Sequence, residues 1–177
     1  KMTDFQRYIS PLGGMLLAAE ESEIVGIWFA GQKYFPSGLT SDWTERETPV
    51  LLEAKRWLNL YFSGGRPDFL PPLHPAGSVF RRQVWEILLT IPYGKTVTYG
   101  EIARQLAQKR GIPEMSAQAV GGAVGHNPIS LMIPCHRVVG TGGSLTGYAG
   151  GMDKKKWLLE WEGVDTGSFF LPRRAPR

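Results

Sequence analysis

The residues best equipped for chemistry lie together in Ile133-Pro134-Cys135-His136-Arg137-Val138. Cys135 is the single cysteine of the 177-residue chain, so no disulfide can form within it. One cysteine with three histidines also leaves too few ligands for a structural zinc site. A lone cysteine is ordinarily a small buried hydrophobe. These neighbours point elsewhere: Pro134 restrains the backbone, while His136 and Arg137 bring polar and cationic groups into a run of strand formers. A thiol with a pKa near ~8.5 reacts as its thiolate, and burial opposes that ionisation, so a base is required. His136 is the adjacent candidate. On an extended strand neighbouring side chains face opposite ways, so a water is expected to bridge Cys135 and His136.

The elements that must position this segment divide the chain in two. Residues 1–76 contain short apolar stretches, Met15 to Ala19 and Ile24 to Ala30, punctuated by Gly13-Gly14, Gly31 and Pro36-Ser37-Gly38, a rhythm of strands and hairpins. Thr48-Pro49 opens a helix with apolar positions Val50, Leu51, Ala54, Trp57, Leu58 and Tyr61, stopped by Gly64-Gly65. The prolines at 67, 71, 72 and 75 predict an extended linker over 64–76. Residues 77–177 read as mostly helical. Ser78 caps a helix carrying Phe80, Val84, Trp85, Ile87 and Leu88. Thr98 and Glu101 fit a capping box opening a helix that ends before Gly111. A further helix over Ser116 to Gly125 completes a helix-turn-helix. Its side chains are unusually small, which suits either tight helix packing or entry of the helix into a narrow groove.

Charge follows the same division. Residues 1–76 carry 7 Lys/Arg against 9 Asp/Glu, and residues 77–177 carry 13 against 7, so the second half is the one suited to a polyanion. No apolar run is long enough to span a membrane, and the opening residues lack a secretory pattern, so a cytoplasmic protein is expected.

Pro134-Cys135-His136-Arg137-Val138-Val139 resembles the signature of the O6-alkylguanine-DNA alkyltransferases, also called methylated-DNA–protein-cysteine methyltransferases. The resemblance extends through Ile91-Pro-Tyr-Gly-Lys-Thr-Val-Thr-Tyr99, Ala119-Val-Gly-Gly-Ala123, Asn127-Pro128, Gly147-Tyr-Ala-Gly-Gly151, Lys155-Lys-Trp-Leu-Leu159 and Glu162-Gly163, roughly half the chain. It implies an α+β, two-part fold: an N-terminal ribonuclease H-like α/β domain (1–76) and a helical C-terminal domain with a winged-type helix-turn-helix (77–177). It also implies irreversible, single-use transfer of an alkyl group from guanine O6 to Cys135, after minor-groove binding and base flipping.

The resemblance assigns roles by position. Cys135, a water, His136 and Glu162 form a proton relay, with Glu162 holding the imidazole. Tyr99 donates toward guanine N3. Carbonyls at Cys135 and Val138 accept from the guanine amine, and Tyr148-Ala149 wall the pocket. Asn127 ties the helix-turn-helix to the cysteine loop. Ala117, Gln118, Ala119 and Gly121 face DNA, with Arg137 meeting phosphate or bracing the loop. Lys154, Lys155 and Lys156 at the start of the last helix read as exposed charges serving DNA. Gln118 stands where many relatives carry an arginine that fills the gap left by the flipped base, and Ala149 where a serine is common. The expected partner is double-stranded DNA containing O6-alkylguanine, with O4-alkylthymine a second candidate lesion. The protein is expected to act as a monomer, alone or clustered along DNA, without metal or cofactor. The tail from Ser168 reads as disordered or as a weak phosphate contact.

Three rival readings place other demands on the sequence. A module that flags alkylated bases without repairing them has no use for Cys135. A sequence-specific regulator needs longer side chains than Ala117 to Ala123 supply. A thiol hydrolase with a Cys–His–Glu triad must turn over repeatedly.

Overall fold

Three successive strands are joined by two-residue turns. Thr3–Ser10 (β1) pairs antiparallel with Gly13–Glu20 (β2), which pairs antiparallel with Glu23–Phe29 (β3). Ser10 Oγ holds the first turn, accepting from Leu12 N at 3.0 Å and donating to Gly13 O at 2.8 Å. Trp43–Glu45 (β4) adds to β1 in parallel, giving the sheet order β3-β2-β1-β4. Residues 2–35 and 42–171 of this computed structural model are described here; the expected Pro36-Ser37-Gly38 turn lies outside them. Met15 to Ala19 are buried without interruption because both faces of β2 are covered. One face meets Pro49–Phe62 (α1), whose buried side chains are the six expected from its helical spacing. The other face carries Phe5, Leu16, Ala18 and Trp28, packed with Val25, Phe35 and Trp43.

These elements form one of two compact units, which takes in residues up to Ala76 together with Asn127–Met132. The free edge of β3 explains why that second segment belongs here. Ile27 N donates to Pro128 O at 2.9 Å, and Ser130 N to Ile27 O at 3.0 Å. Along the same edge Ile24 N donates to Pro72 O and His74 N to Ile24 O, both at 2.8 Å. The proline-rich stretch is therefore extended, but it is edge-pairing chain rather than a free spacer. Asn127–Met132, which the sequence reading places with the helical half, departs from it for the same reason.

The other unit comprises Gly77–His126 and the chain from Ile133 onward. It contains Val79–Leu88 (α2), Val97–Thr98 (β5), Tyr99–Arg110 (α3), Ala117–Gly125 (α4), Val138–Val139 (β6) and Met152–Trp161 (α5). Ser78 and Thr98 each accept a backbone N–H three residues ahead, so the expected cap of α2 and the Thr98 half of the capping box form, and Ser116 caps α4 in the same way. These three helices pack together through Val84, Trp85, Leu88, Ile102, Leu106, Val120 and Val124. Trp85 Nε1 donates to Ala123 O at 2.8 Å and so avoids a buried orphan. β5 and β6 pair in parallel, Val97 with Val138 and Thr98 with Val139. That short ladder ties the start of α3, and with it Tyr99, to the residues just beyond Cys135.

The tail departs from expectation. Phe170 N donates to Gly143 O at 3.1 Å and Leu145 N to Phe170 O at 2.9 Å. Phe169 packs beside Val139, Leu145, Leu159 and Val164. Phe169 and Phe170 are thus pinned by apolar contact and backbone pairing, and residues 172–177 of the expected tail lie outside the described residues. Among the described residues no helix is long and apolar enough to cross a membrane.

Candidate active site

Pro134 (φ −81°, ψ 65°) makes a tight inverse turn in which Cys135 N donates to Ile133 O at 2.8 Å. Cys135–Arg137 then form one turn of 3₁₀ helix rather than the strand expected from their neighbours. Successive side chains therefore diverge around a helix axis instead of alternating across a strand. Cys135 is 4% exposed and His136 fully buried. Val138 N donates to Cys135 O, closing that turn.

His136 reaches Glu162 at the C-terminal cap of α5, with Nε2 and Oε2 2.6 Å apart. Arg137 Nε donates to Glu162 Oε1 at 2.8 Å and Nη2 to Oε2 at 3.2 Å, while Nη1 donates to Ile91 O at 2.8 Å. Gly94 N adds a donor to Oε1 at 3.0 Å. Burial alone would raise the Glu162 carboxyl, but the hydrogen bonds and charges of His136 and Arg137 prevail. They hold it far below the ordinary carboxylate value of 4.5. An ionised carboxylate only accepts, so the proton between these groups sits on His136 Nε2 and Nδ1 is the bare nitrogen. His136 is itself held below its ordinary 6.5. Burial lowers it, Glu162 opposes, and the charges of Arg137 and Lys155 lower it further. The imidazole is thus neutral near pH 7. Its Nδ1 is buried with no hydrogen-bond partner among the described residues. A buried unpartnered acceptor is costly, and here it is the atom a general base needs.

Of the two roles expected for Arg137, bracing is the one its geometry supports. It is 9% exposed and committed to Glu162 and Ile91, so the expected phosphate contact is corrected. Lys155 is corrected as well: it is fully buried, whereas Lys156 is exposed and Lys154 half-buried. Lys155 Nζ donates to Thr146 O at 2.8 Å and lies 5.8 Å from the Tyr99 ring centroid. Burial brings its ammonium down to about 8 from 10.5, against an opposing pull from Cys135.

Tyr99 opens α3, and its hydroxyl donates to the same Thr146 O at 2.7 Å. Burial, then the Cys135 charge, push the phenol well above 10, so it stays a donor. Gly147 (φ +79°) allows this approach: a Cβ there would lie 2.6 Å from Tyr99 Oη. The Tyr148 hydroxyl is buried and has no hydrogen-bond partner among the described residues, on a ring packed edge-on to His136 with centroids 6.5 Å apart. Ala149 beside it is half-buried.

Tyr99, Gly100, Gln118, Gly121, Thr146 and Gly147 contribute to the walls of a cavity of about 430 Å³, of ordinary ligand-pocket size. Cys135 is not on its wall. A larger cavity of about 510 Å³ in the sheet unit, between Asp4 and Val50, contains no nucleophile or base pair of this kind. Ala117, Gln118, Ala119 and Gly122 form the exposed face of α4. A Cβ at Gly122 would meet nothing within 4 Å, and one at Gly121 only the Tyr99 ring at 3.8 Å. Packing therefore does not require these glycines. Asn127 lies in the sheet unit, where Oδ1 accepts from Ile129 N at 2.9 Å and Nδ2 donates to Ile129 O at 3.3 Å.

Cys135, His136, Glu162, Tyr99 and Tyr148 thus come together within one unit. Sequence reasoning missed Gly94 and the buried state of Lys155. A signal for the lysine existed: 155, 158, 159 and 162 lie on one helical face, with Leu158, Leu159 and Glu162 all buried.

Two family models match the chain. The 6-O-methylguanine DNA methyltransferase ribonuclease-like domain covers residues 5–75, and the DNA binding domain of the same family covers 79–164. A methylated-DNA–protein-cysteine methyltransferase of Mycolicibacterium paratuberculosis is 43% identical over 161 residues, 91% of this chain and 93% of the relative. One from Methanosarcina acetivorans is 44% identical over 155 residues, 87% and 94% of the two chains. The crystal structure of Mycobacterium tuberculosis OGT in complex with DNA aligns with a TM-score of 0.77 at 41% identity, covering 90% of this chain and 92% of that one.

Proposed function

Because this chain belongs to the 6-O-methylguanine DNA methyltransferase family, we propose that its repair of alkylated DNA by direct transfer runs through Cys135, which takes the alkyl group from guanine O6 once and keeps it. The observation carrying this reading is the buried, unpartnered Nδ1 of His136, left unprotonated by the Nε2 bond to Glu162. A water between Nδ1 and the thiol would pass the proton from sulfur to imidazole, and Glu162 would hold the imidazolium formed. The thiolate then attacks the alkyl carbon. An S–C bond forms, the C–O6 bond breaks, and its electron pair moves into the guanine ring. Tyr99 donates toward N3 to offset that charge, and the proton stored on His136 finally neutralises the base. The balance is thiol plus O6-alkylguanine to thioether plus guanine. Neither water nor thiols cleave a thioether as thiols cleave a disulfide, so each molecule acts a single time.

The helix pair α3–α4 would serve as the helix-turn-helix. The small exposed face of α4 suits close approach to a minor groove through backbone and shape. The basic balance of residues 77–177 supplies phosphate attraction. The cavity beside Tyr99 and Gln118 would admit the flipped guanine on its way toward Cys135, with Gln118 taking over only the hydrogen-bonding part of the role of an arginine. Asn127 would brace the chain entering the cysteine loop. A monomer acting inside the cell fits a single accessible lesion site and one reduced cysteine. Damage recognition without transfer is not favoured, since it leaves Cys135 and its base without a task.

Intact-mass measurement after incubation with an oligonucleotide containing O6-methylguanine tests the proposal. The expected result is a gain of one methylene per molecule, saturating, and absent in Cys135→Ser. Tight lesion binding without a mass gain would overturn it in favour of damage flagging.

A further inference from the structure

The Thr146 carbonyl accepts from two side chains at once, Tyr99 Oη at 2.7 Å and Lys155 Nζ at 2.8 Å. Two donors use both lone pairs of a carbonyl. The lysine is an improbable choice on structural grounds. It is fully buried, it stands in the first turn of α5 where the helix dipole opposes a cation, and no carboxylate among the described residues pairs with it. A neutral donor would hold the carbonyl at less cost.

The tyrosine gives the arrangement a purpose. Its hydroxyl has one proton, and in this structure that proton is given to Thr146 O rather than presented to the cavity. Turning it to a substrate atom breaks the 2.7 Å bond and strips a donor from a carbonyl beside the cavity. An ammonium supplies a stronger, charge-assisted bond to the same oxygen. It also draws on the oxygen's electron density, which weakens the competing bond from Tyr99.

We propose that Lys155 is a positioning residue for alkyl transfer: it holds the Thr146 carbonyl while the Tyr99 hydroxyl swings from that carbonyl to guanine N3. This rests on the reading of Tyr99 as the N3 donor. Lys155 touches neither the alkyl group nor the base and acts through Tyr99. The ammonium 5.8 Å from the phenol ring centroid also keeps the ring aligned as its hydroxyl changes partner.

Single-turnover transfer rates on two DNA substrates, O6-methylguanine and its 3-deaza analogue with C–H in place of N3, separate the possibilities. Lys155→Met should slow the first substrate on the order of 10- to 100-fold, the effect of removing a buried carbonyl's donor. It should barely alter the second, on which Tyr99 has nothing to reach. Tyr99→Phe should show the same selectivity, and the double variant should be no slower than Tyr99→Phe alone. Equal slowing of both substrates by Tyr99→Phe would sink the N3 reading itself. Selective slowing by Tyr99→Phe but equal slowing by Lys155→Met would overturn the lysine proposal alone, because the lysine would then act on Cys135 or on the fold. The ratio of rates on two substrates is unaffected by an unfolded fraction. Lys155→Gln, which retains a shorter donor, replaces Lys155→Met if that variant does not fold and should show a milder form of the same selectivity.

Discussion

Among the described residues of the sheet unit the buried polar side chains are Thr3, Ser10, Gln32, Asn127 and Ser130, every one of them neutral, whereas the helical unit buries His136, Arg137, Lys155 and Glu162. The charges of the sheet unit stay at the surface, where Arg7 meets Glu45 and Arg46 meets Asp4. Desolvating a charge is expensive, and even a paired one rarely improves stability over an apolar replacement. The helical unit accepts that cost over a few residues, around its only thiol. The sheet unit has been built for stability, the helical unit for a reaction.

The largest break in this contrast should come from removing one buried charge. Glu162→Ala leaves Arg137 buried without its carboxylate and His136 without its anchor. Stability should fall by about 3–5 kcal/mol in denaturant melts. The single-turnover rate of whatever remains folded should fall ~10²- to 10⁴-fold, the usual worth of a positioned general base. Glu45→Ala, its surface counterpart, should change stability by about 0–1 kcal/mol and leave the rate untouched. Comparable losses from the two would erase the distinction.

Arg137→Met is expected to come next. It removes a charge that lowers His136, so the acid limb of the pH–rate profile should move upward as the rate falls. In the parent protein that limb should lie below the ordinary histidine value of 6.5, since the neutral imidazole is the active form.

Stability against pH sharpens the contrast further. Glu162 is held below 4.5 when folded, so its contribution is present above 4.5 and drains away as pH falls from there toward the folded value. Lys155 works at the other end. The folded protein releases its proton at about 8 and the unfolded chain at 10.5, so the unfolded state binds more protons between them and stability rises with pH across that window. Denaturant melts at the two ends of the window should show the rise, and Lys155→Met should abolish it. The smallest effect concerns α4. Gly122→Ala places a methyl in open space within a helix and should stabilise by about 0.5–1 kcal/mol by thermal melting, while weakening binding to undamaged DNA.

What could be read from the chain alone was local. Thr48, Ser78 and Thr98 announce their helices because a cap satisfies an amide three residues away, and the apolar spacing of α1 names its buried face. Cys135 and His136 declare a nucleophile and a base by adjacency. Glu162 and Tyr99 were assigned only by family resemblance, as nothing in their own neighbourhoods marks them. Other features depended wholly on distant partners. Asn127–Met132 joins the sheet unit because β3 had an open edge, and β5 meets β6 across forty residues of chain. The run Cys135–Arg137 turned into 3₁₀ helix although its neighbours favour a strand. Lys155, one of three consecutive lysines, was buried because the helix turned it onto the face of Leu158, Leu159 and Glu162. A residue's backbone preferences and its reach of about one helical turn are properties of the sequence. Which charges lose their water, and which carbonyl two donors come to share, depends on what the tertiary fold brings within 3 Å, and that decided the chemistry of this site.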